Sequence, residues 1–257
     1  MTQAVVGINS VRTALRFGRG GVTRLWLDRQ RRDRRLAELV QLAHAAGIET
    51  EQVTRAALDE AAGGANHQGV LAWVQTPAAR DEGALADILA PWCAADRASA
   101  LAPPLLLLLD GVTDPHNLGA CLRSADAAGV QAVIAPKDQA AGLTPVAVKV
   151  ASGAAETVPF VAVTNLARTM AWLQAQGLWL IGTAGEAATP LFATDLRGPV
   201  ALVLGSEGQG LRRLTRERCD TLVHLPMYGA VESLNVAVTA GICLYEALRQ
   251  RRFAGSA

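Results

Sequence analysis

Apolar residues recur along this chain in short runs, separated by stretches with helical spacing. In the first 75 residues, positions 4–6 read as a short strand. Asn9 is placed to cap the helix that follows, with Val11, Leu15 and Phe17 as its apolar positions. Residues 23–27 alternate polar and apolar, as a half-buried strand does. Residues 34–46 carry Leu36, Leu39, Val40 and Ala43 on one helical face and stop at Gly47. A strand at 48–53, a short helix at 54–61 and a strand at 70–75 complete a small α/β unit.

Residues 76–102 read as a connector. Thr76-Pro77 breaks the preceding strand, 84–95 predicts a short helix, and Pro103-Pro104 marks a stop. The expected organisation is therefore an N-terminal domain at 1–75, a linker at 76–102 and a second domain at 103–257. From Leu105 onward, strand and helix patterns alternate. Strands are expected at 105–109, 132–135, 178–182, 200–204 and 222–225. Helices are expected at about 117–128, 144–151, 165–176 and 233–250. The runs at 105–109 and 200–204 are unbroken and apolar, as parallel strands covered on both faces are. Repeated βα units predict an open, mostly parallel sheet with helices on both sides.

Composition narrows the class. The chain has 257 residues, is 51% hydrophobic and 18% charged, and has mean hydropathy +0.22, which is globular rather than disordered. No apolar run reaches the ~18–20 residues of a membrane span. The N-terminus lacks the basic start and long apolar stretch of a signal peptide. The four cysteines (93, 121, 219, 243) form no CxxC pair, and the four histidines (44, 67, 116, 224) show no ligand spacing. Reduced, mostly buried thiols, a cytoplasmic location, no membrane and no metal are expected.

The net charge of +1 argues against a nucleic-acid partner until it is resolved along the chain. Nine arginines (12, 16, 19, 24, 29, 31, 32, 34, 35) fall in the first 35 residues, opposed only by Asp28 and Asp33, so that segment carries +7. The remainder carries −6. The basic segment is either an RNA-facing surface or a solvated helix face.

Three segments follow expected strands, at the edge where open α/β sheets bind ligands. The first runs from Asp110 to Arg123, with Asn117 opening a helix and Arg123 lying six residues on. The second is Gly205-Ser206-Glu207-Gly208-Gln209-Gly210. It matches neither the dinucleotide fingerprint nor the P-loop. The third runs from Leu225 to Asn235, with Ser233 a candidate helix cap and Asn235 in the first helical turn. Each has an ordinary structural reading: a cap at Asn117 with an ion pair at Arg123, a glycine turn, and a capped helix. Side by side they bring amides, one carboxylate and an arginine to one sheet edge. That suits orienting a substrate, with a cosubstrate held by backbone and apolar contacts.

Asn117-Leu118-Gly119-Ala120-Cys121-Leu122-Arg123, Leu204-Gly205-Ser206-Glu207-Gly208, and Leu225-Pro226-Met227 through Ser233-Leu234-Asn235-Val236-Ala237 resemble motifs 1, 2 and 3 of the SpoU branch of the SPOUT RNA methyltransferases. Val5-Val6-Gly7-Ile8-Asn9-Ser10-Val11 and Asn66-His67-Gln68-Gly69-Val70 resemble the ends of that family's N-terminal substrate-binding domain. The resemblance implies a parallel-sheet catalytic domain with a deep trefoil knot. It also implies S-adenosylmethionine as methyl donor and methylation of a guanosine ribose 2'-hydroxyl in large-subunit rRNA by a homodimer joined through the C-terminal domain. By the same resemblance Gly205, Leu225 and Leu234 contact the donor, with Leu204, Pro226, Met227 and Ser233 nearby. Arg123 activates the hydroxyl, while Asn117, Glu207, Ser233 and Asn235 orient it with the ribose and phosphate. Arg29, Arg31, Arg32, Arg34 and Arg35 are the candidate RNA contacts. The alternatives are a tRNA ribose methyltransferase, a non-catalytic RNA-binding assembly protein and, least supported by motif, a dinucleotide-dependent oxidoreductase.

Overall fold

The computed structural model describes residues 2–17, 21–75, 77–94 and 102–253. Arg19 of the basic segment, Thr76 and residues 95–101 of the expected connector, and the side chain of Phe17 lie outside that description. The chain divides into two compact units. The smaller comprises Met1–Ala78 with Ser152–Thr157, and the larger Ala79–Ala151 with Val158–Ala257.

The smaller unit runs β1 (Thr2–Val6), α1 (Ile8–Phe17), β2 (Val22–Asp28), α2 (Arg34–Ala45), β3 (Glu49–Val53), α3 (Arg55–Ala62) and β4 (Val70–Gln75). Its sheet has the order β1-β4-β2-β3, with β4 antiparallel to both neighbours and β2 parallel to β3. Val11 and Leu15 of α1, Leu36 and Leu39 of α2, and Val70, Ala72 and Val74 of β4 form one apolar core. Asn9 lies inside α1 instead of capping it, because Gly7, at φ +92, turns the chain two residues earlier. The loop before β4 is built by its own side chains. Gln68 Oε1 accepts the Ile8 N–H at 3.1 Å, and buried His67 accepts the Gly69 N–H on Nδ1. That leaves Nε2 of His67 to donate to Asp59 at 2.9 Å.

The larger unit runs α4 (Gly83–Ala94), β5 (Leu105–Asp110), α5 (Pro115–Ala128), β6 (Ala132–Pro136) and α6 (Pro145–Ala151). The short α7 (Ala154–Thr157) belongs with the smaller unit by its contacts. The chain continues as β7 (Phe160–Val163), α8 (Leu166–Ala175), β8 (Trp179–Thr183), β9 (Thr189–Pro190), β10 (Val200–Gly205), α9 (Arg213–Arg218), β11 (Thr221–His224) and α10 (Val236–Phe253). The seven strands order as β7-β6-β5-β10-β8-β11-β9, and every neighbouring pair is parallel. The five leucines of β5 are all buried, since this strand is central and covered on both faces. Leu106 and Leu108 pack with α4 and α8. Their alternates face the side where α5 and α10 pack together.

Several elements differ from the sequence expectation. Asp114, not Asn117, caps α5, with Pro115 at its first position. α10 begins at Val236 and not at Ser233, because the Asn235 side chain supplies the cap. Strand β7, strand β9 and helix α9 were not expected. α4, in the stretch read as a connector, buries Leu85 and Leu89 in the core of the larger unit. Of the four free thiols, Cys121 and Cys243 are buried, Cys219 is half-buried and Cys93 is exposed. Burial pushes the first two up to about 12. Among the described residues no helix is long and apolar enough to cross a membrane.

Candidate active site

β5, β10 and β11 end side by side with β8 at the carboxyl edge of the large sheet, and each of the first three releases one of the candidate segments. Asp110 and Gly205 are paired neighbours, the last residues of β5 and β10. After β10 the chain turns back at once. Ser206 and Gly210 exchange both backbone hydrogen bonds, at 3.2 and 2.9 Å. A Cβ on Gly205 would overlap the carbonyl carbon of Gly210 and the Leu211 nitrogen, so only glycine fits there. Glu207 stands at the exposed tip of this tight loop.

The three segments meet at Glu207. Its Oε1 accepts from Asn117 Nδ2 at 3.1 Å, Asn235 Nδ2 at 2.5 Å and the Val236 N–H at 3.3 Å. Asn235 Nδ2 also donates to Asn117 Oδ1 at 2.9 Å. Asn235 Oδ1 caps α10 by accepting from Ala237 N–H at 2.9 Å and Val238 N–H at 3.3 Å. Both amides therefore have fixed orientations, and the second carboxylate oxygen of Glu207 is left for a ligand. These three residues lie 90 and 28 positions apart in sequence and form one hydrogen-bonded group.

Arg123 and Ser233 do not join it. Arg123 is exposed and makes no hydrogen bond or ion pair among the described residues. Six residues from Asn117, it lies about 120° around α5 and about 9 Å along it. Ser233 is exposed and caps nothing among the described residues.

Beside the group is a cavity of about 530 Å³, within the range of small-molecule sites. Leu204, Gly205, Leu225, Met227, Ser233 and Leu234 line it, whereas Pro226 lies in the same segment but not in the lining. Backbone groups of residues 226–234 make no protein hydrogen bond among the described residues, so they remain free to bind a ligand. Sequence reasoning missed part of this wall: Thr183–Glu186 after β8, Arg216, His224 and Thr239. The signal for the first was available, since β8 ends at the same edge as β10. Arg216 pairs with Glu186 at the rim. The wall mixes apolar side chains and glycine with polar groups, three of them the carboxylates Glu186, Glu207 and Glu232. It fits a cationic nucleoside donor such as S-adenosylmethionine.

In the smaller unit, Arg29, Arg31, Arg32, Arg34 and Arg35 are all exposed. Arg31 is committed internally: it donates to Asp33 and to the Gln68 carbonyl, both at 2.6 Å, and lies across Gly69. The other four make no ion pair among the described residues. Arg34 and Arg35 occupy the first turn of α2, where the helix dipole disfavours cations.

Comparison with known proteins identifies the family. The profile of the SpoU rRNA Methylase family matches residues 104–245, and that of RNA 2'-O ribose methyltransferase substrate binding matches residues 4–79. The chain is 52% identical over 248 residues to the 23S rRNA (guanosine-2'-O-)-methyltransferase RlmB of Shewanella oneidensis, covering 96% of this chain and 97% of that protein. It is 49% identical over 251 residues to the protein of the same name from Escherichia coli, covering 98% and 100%. The crystal structure of the SpoU methyltransferase AviRb from Streptomyces viridochromogenes in complex with AdoMet superposes with TM-score 0.72 at 28% identity, over 97% of this chain and 90% of that one. With profile, length and fold in agreement, the chain belongs to the SpoU rRNA methylase family.

Proposed function

We propose that this protein methylates the ribose 2'-hydroxyl of a guanosine in 23S rRNA, using S-adenosylmethionine. The observation that carries the reading is the Asn117–Glu207–Asn235 group beside the cavity, on a chain whose relatives of that activity match it end to end. Gly205, Leu225, Leu234, Leu204 and Met227 hold the donor, with Pro226 shaping the segment. The donor supplies an electrophilic methyl group on sulfur.

Asn117 and Asn235, locked by Glu207, present amide groups of fixed direction to the ribose and its phosphate, and Ser233 adds a hydroxyl. Such preorganised dipoles favour charge developing on the 2'-oxygen. Arg123 is a poor general base, since a guanidinium holds its proton tightly. Its exposed charge, without an ion-pair partner among the described residues, suits stabilising the developing oxyanion. Its direction, turned away from Asn117 on the same helix, suits action across a homodimer. Val238 and Tyr245, exposed on α10 seven residues apart, offer an apolar seam for that dimer. The trefoil knot and a cytoplasmic location belong to the same reading. The N-terminal domain, residues 1–75, meets RNA through Arg29, Arg32, Arg34 and Arg35, with Arg31 holding the loop beneath them.

The test uses rRNA transcript lacking modifications, tRNA transcripts and labelled donor, with 2'-O-methyl positions mapped afterwards. One guanosine in 23S rRNA is the expected product. Methylation of tRNA alone overturns the substrate, and donor binding without transfer to any RNA makes this a binding protein. Arg123→Ala should lose transfer while donor affinity by calorimetry is kept; equal loss of both would place Arg123 in the donor site.

A further inference from the structure

Asp110 and Arg212 lie outside both the donor cavity and the Glu207 group, yet they join the loops that carry it. Asp110 is 1% exposed, a buried carboxylate at the end of β5. Its Oδ2 accepts the Arg212 N–H at 2.8 Å, and the Arg212 guanidinium lies 3.6 Å from its Oδ1. That guanidinium lies over Gly111, where a Cβ would come within 3.3 Å of Nη2. It then donates to Gln139 Oε1 at 3.1 Å. The neighbouring Ala141 N–H is held by the Val112 carbonyl at 2.7 Å.

One carboxylate thus sits where two loops part. Asp110 opens the segment leading to Asn117. Arg212 closes the glycine loop that carries Glu207 and stands at the N-cap position of α9. The glycine loop is fixed at its start by the β10 ladder and at its end by Asp110. A cavity of about 550 Å³, lined by Asp110, Gln139, Asn165 and Arg212 among others, flanks the pair. On that side the clamp adds a lateral side-chain tie to the backbone pairing of Asp110 with Gly205.

We infer that the Asp110–Arg212–Gln139 clamp is a positioning device: it sets the distance between Asn117 and Glu207, and through it the rate of methyl transfer, without contributing to donor binding. Removing the charge at Arg212 leaves its backbone N–H in place, so the loop stays closed but loses its lateral tie. The carboxylate–amide group then loosens, and misplacement of such a group by about 1 Å can cost about 100-fold in rate. The inference rests on the methyltransferase reading for its kinetic half only.

The experiment compares wild type with Arg212→Met, Arg212→Lys, Gln139→Ala and Asp110→Asn on unmodified 23S rRNA transcript. Hydrogen exchange of peptides covering residues 111–117 and 205–211 is followed in parallel. Gln139 is exposed, so Gln139→Ala leaves the buried carboxylate and the fold alone. Arg212→Met should lower kcat by about 10- to 100-fold with donor Kd unchanged. Arg212→Lys should recover part of that loss. Exchange should rise in both loops and not in the β10 peptide. Asp110→Asn combined with Arg212→Met should cost little more than either alone, as members of one unit do. Unchanged exchange in both loops overturns the clamp. So does a rise in KM for RNA at constant kcat, which makes Arg212 an RNA contact, or an equal fall in kcat and donor affinity, which makes the pair part of the donor site. If wild type transfers no methyl group, the methyltransferase reading fails, and the exchange data still decide the clamp.

Discussion

Asn235 does two jobs with one side chain. Its carbonyl oxygen caps α10, and its NH₂ group holds Asn117 and Glu207. Serine caps a helix as well as asparagine but has no amide to donate. Asn235→Ser should therefore keep thermal stability within about 1 kcal/mol of wild type while methyl transfer falls sharply; Asn235→Ala should lose both. A Ser variant with full activity would show that the amide–carboxylate group is not needed. The identity of these residues was legible in the sequence, because glycine, amides and one carboxylate cluster after apolar runs. Their division of labour was not. Ser233 and Asn235 are both good caps, and only the course of residues 226–234 decides between them. Asp110 was hidden for a similar reason. In sequence it is one more turn aspartate before Gly111; its burial and its partner 102 positions away depend on β5 and β10 lying side by side.

At the scale of elements, patterns long enough to show a period were readable. β5 and β10 are unbroken apolar runs, and α5 and α8 carry clear apolar faces. β7 was missed because it is four residues long, with a proline just before it, too short to show a period. α9 carries four charged residues in Arg213–Arg218 and reads as loop, and its packing comes from Thr215 and the neighbouring Cys219. The C-terminal helix is anchored by a contact no periodicity reveals. Arg251 donates to the carbonyls of Leu196, Pro103, Pro104 and Gly198. Its burial draws the guanidinium down to about 10. Four carbonyls would lose a charged donor in Arg251→Met, a substitution that keeps much of the apolar stem. Loss of about 2–3 kcal/mol of unfolding free energy is expected. Denaturant titration measures it, and a midpoint equal to wild type would show that water replaces the guanidinium without cost.

At the scale of the whole molecule, the near-neutral net charge is the sum of a basic segment and an acidic remainder, and the structure refines which charges are free to act. Arg12 and Arg16 pair with Glu38, Arg24 approaches Glu49 and Glu51, and Arg31 is tied to Asp33. These are largely neutralised locally. Arg29, Arg32, Arg34 and Arg35 keep their charge, and two of them sit where a helix dipole opposes cations. A solvated face would gain from moving those charges elsewhere; a phosphate-binding face gains from keeping them. Each phosphate contact releases counterions and adds about 0.7–0.9 to the slope of log affinity against log salt. Replacing the four by glutamate should weaken rRNA binding strongly at low salt, flatten that slope and leave donor affinity untouched, because the donor cavity belongs to the other unit. Replacing Arg12 and Arg16, already paired, should change stability more than slope. If the two sets flatten the slope equally, general charge and not the free arginines holds the RNA.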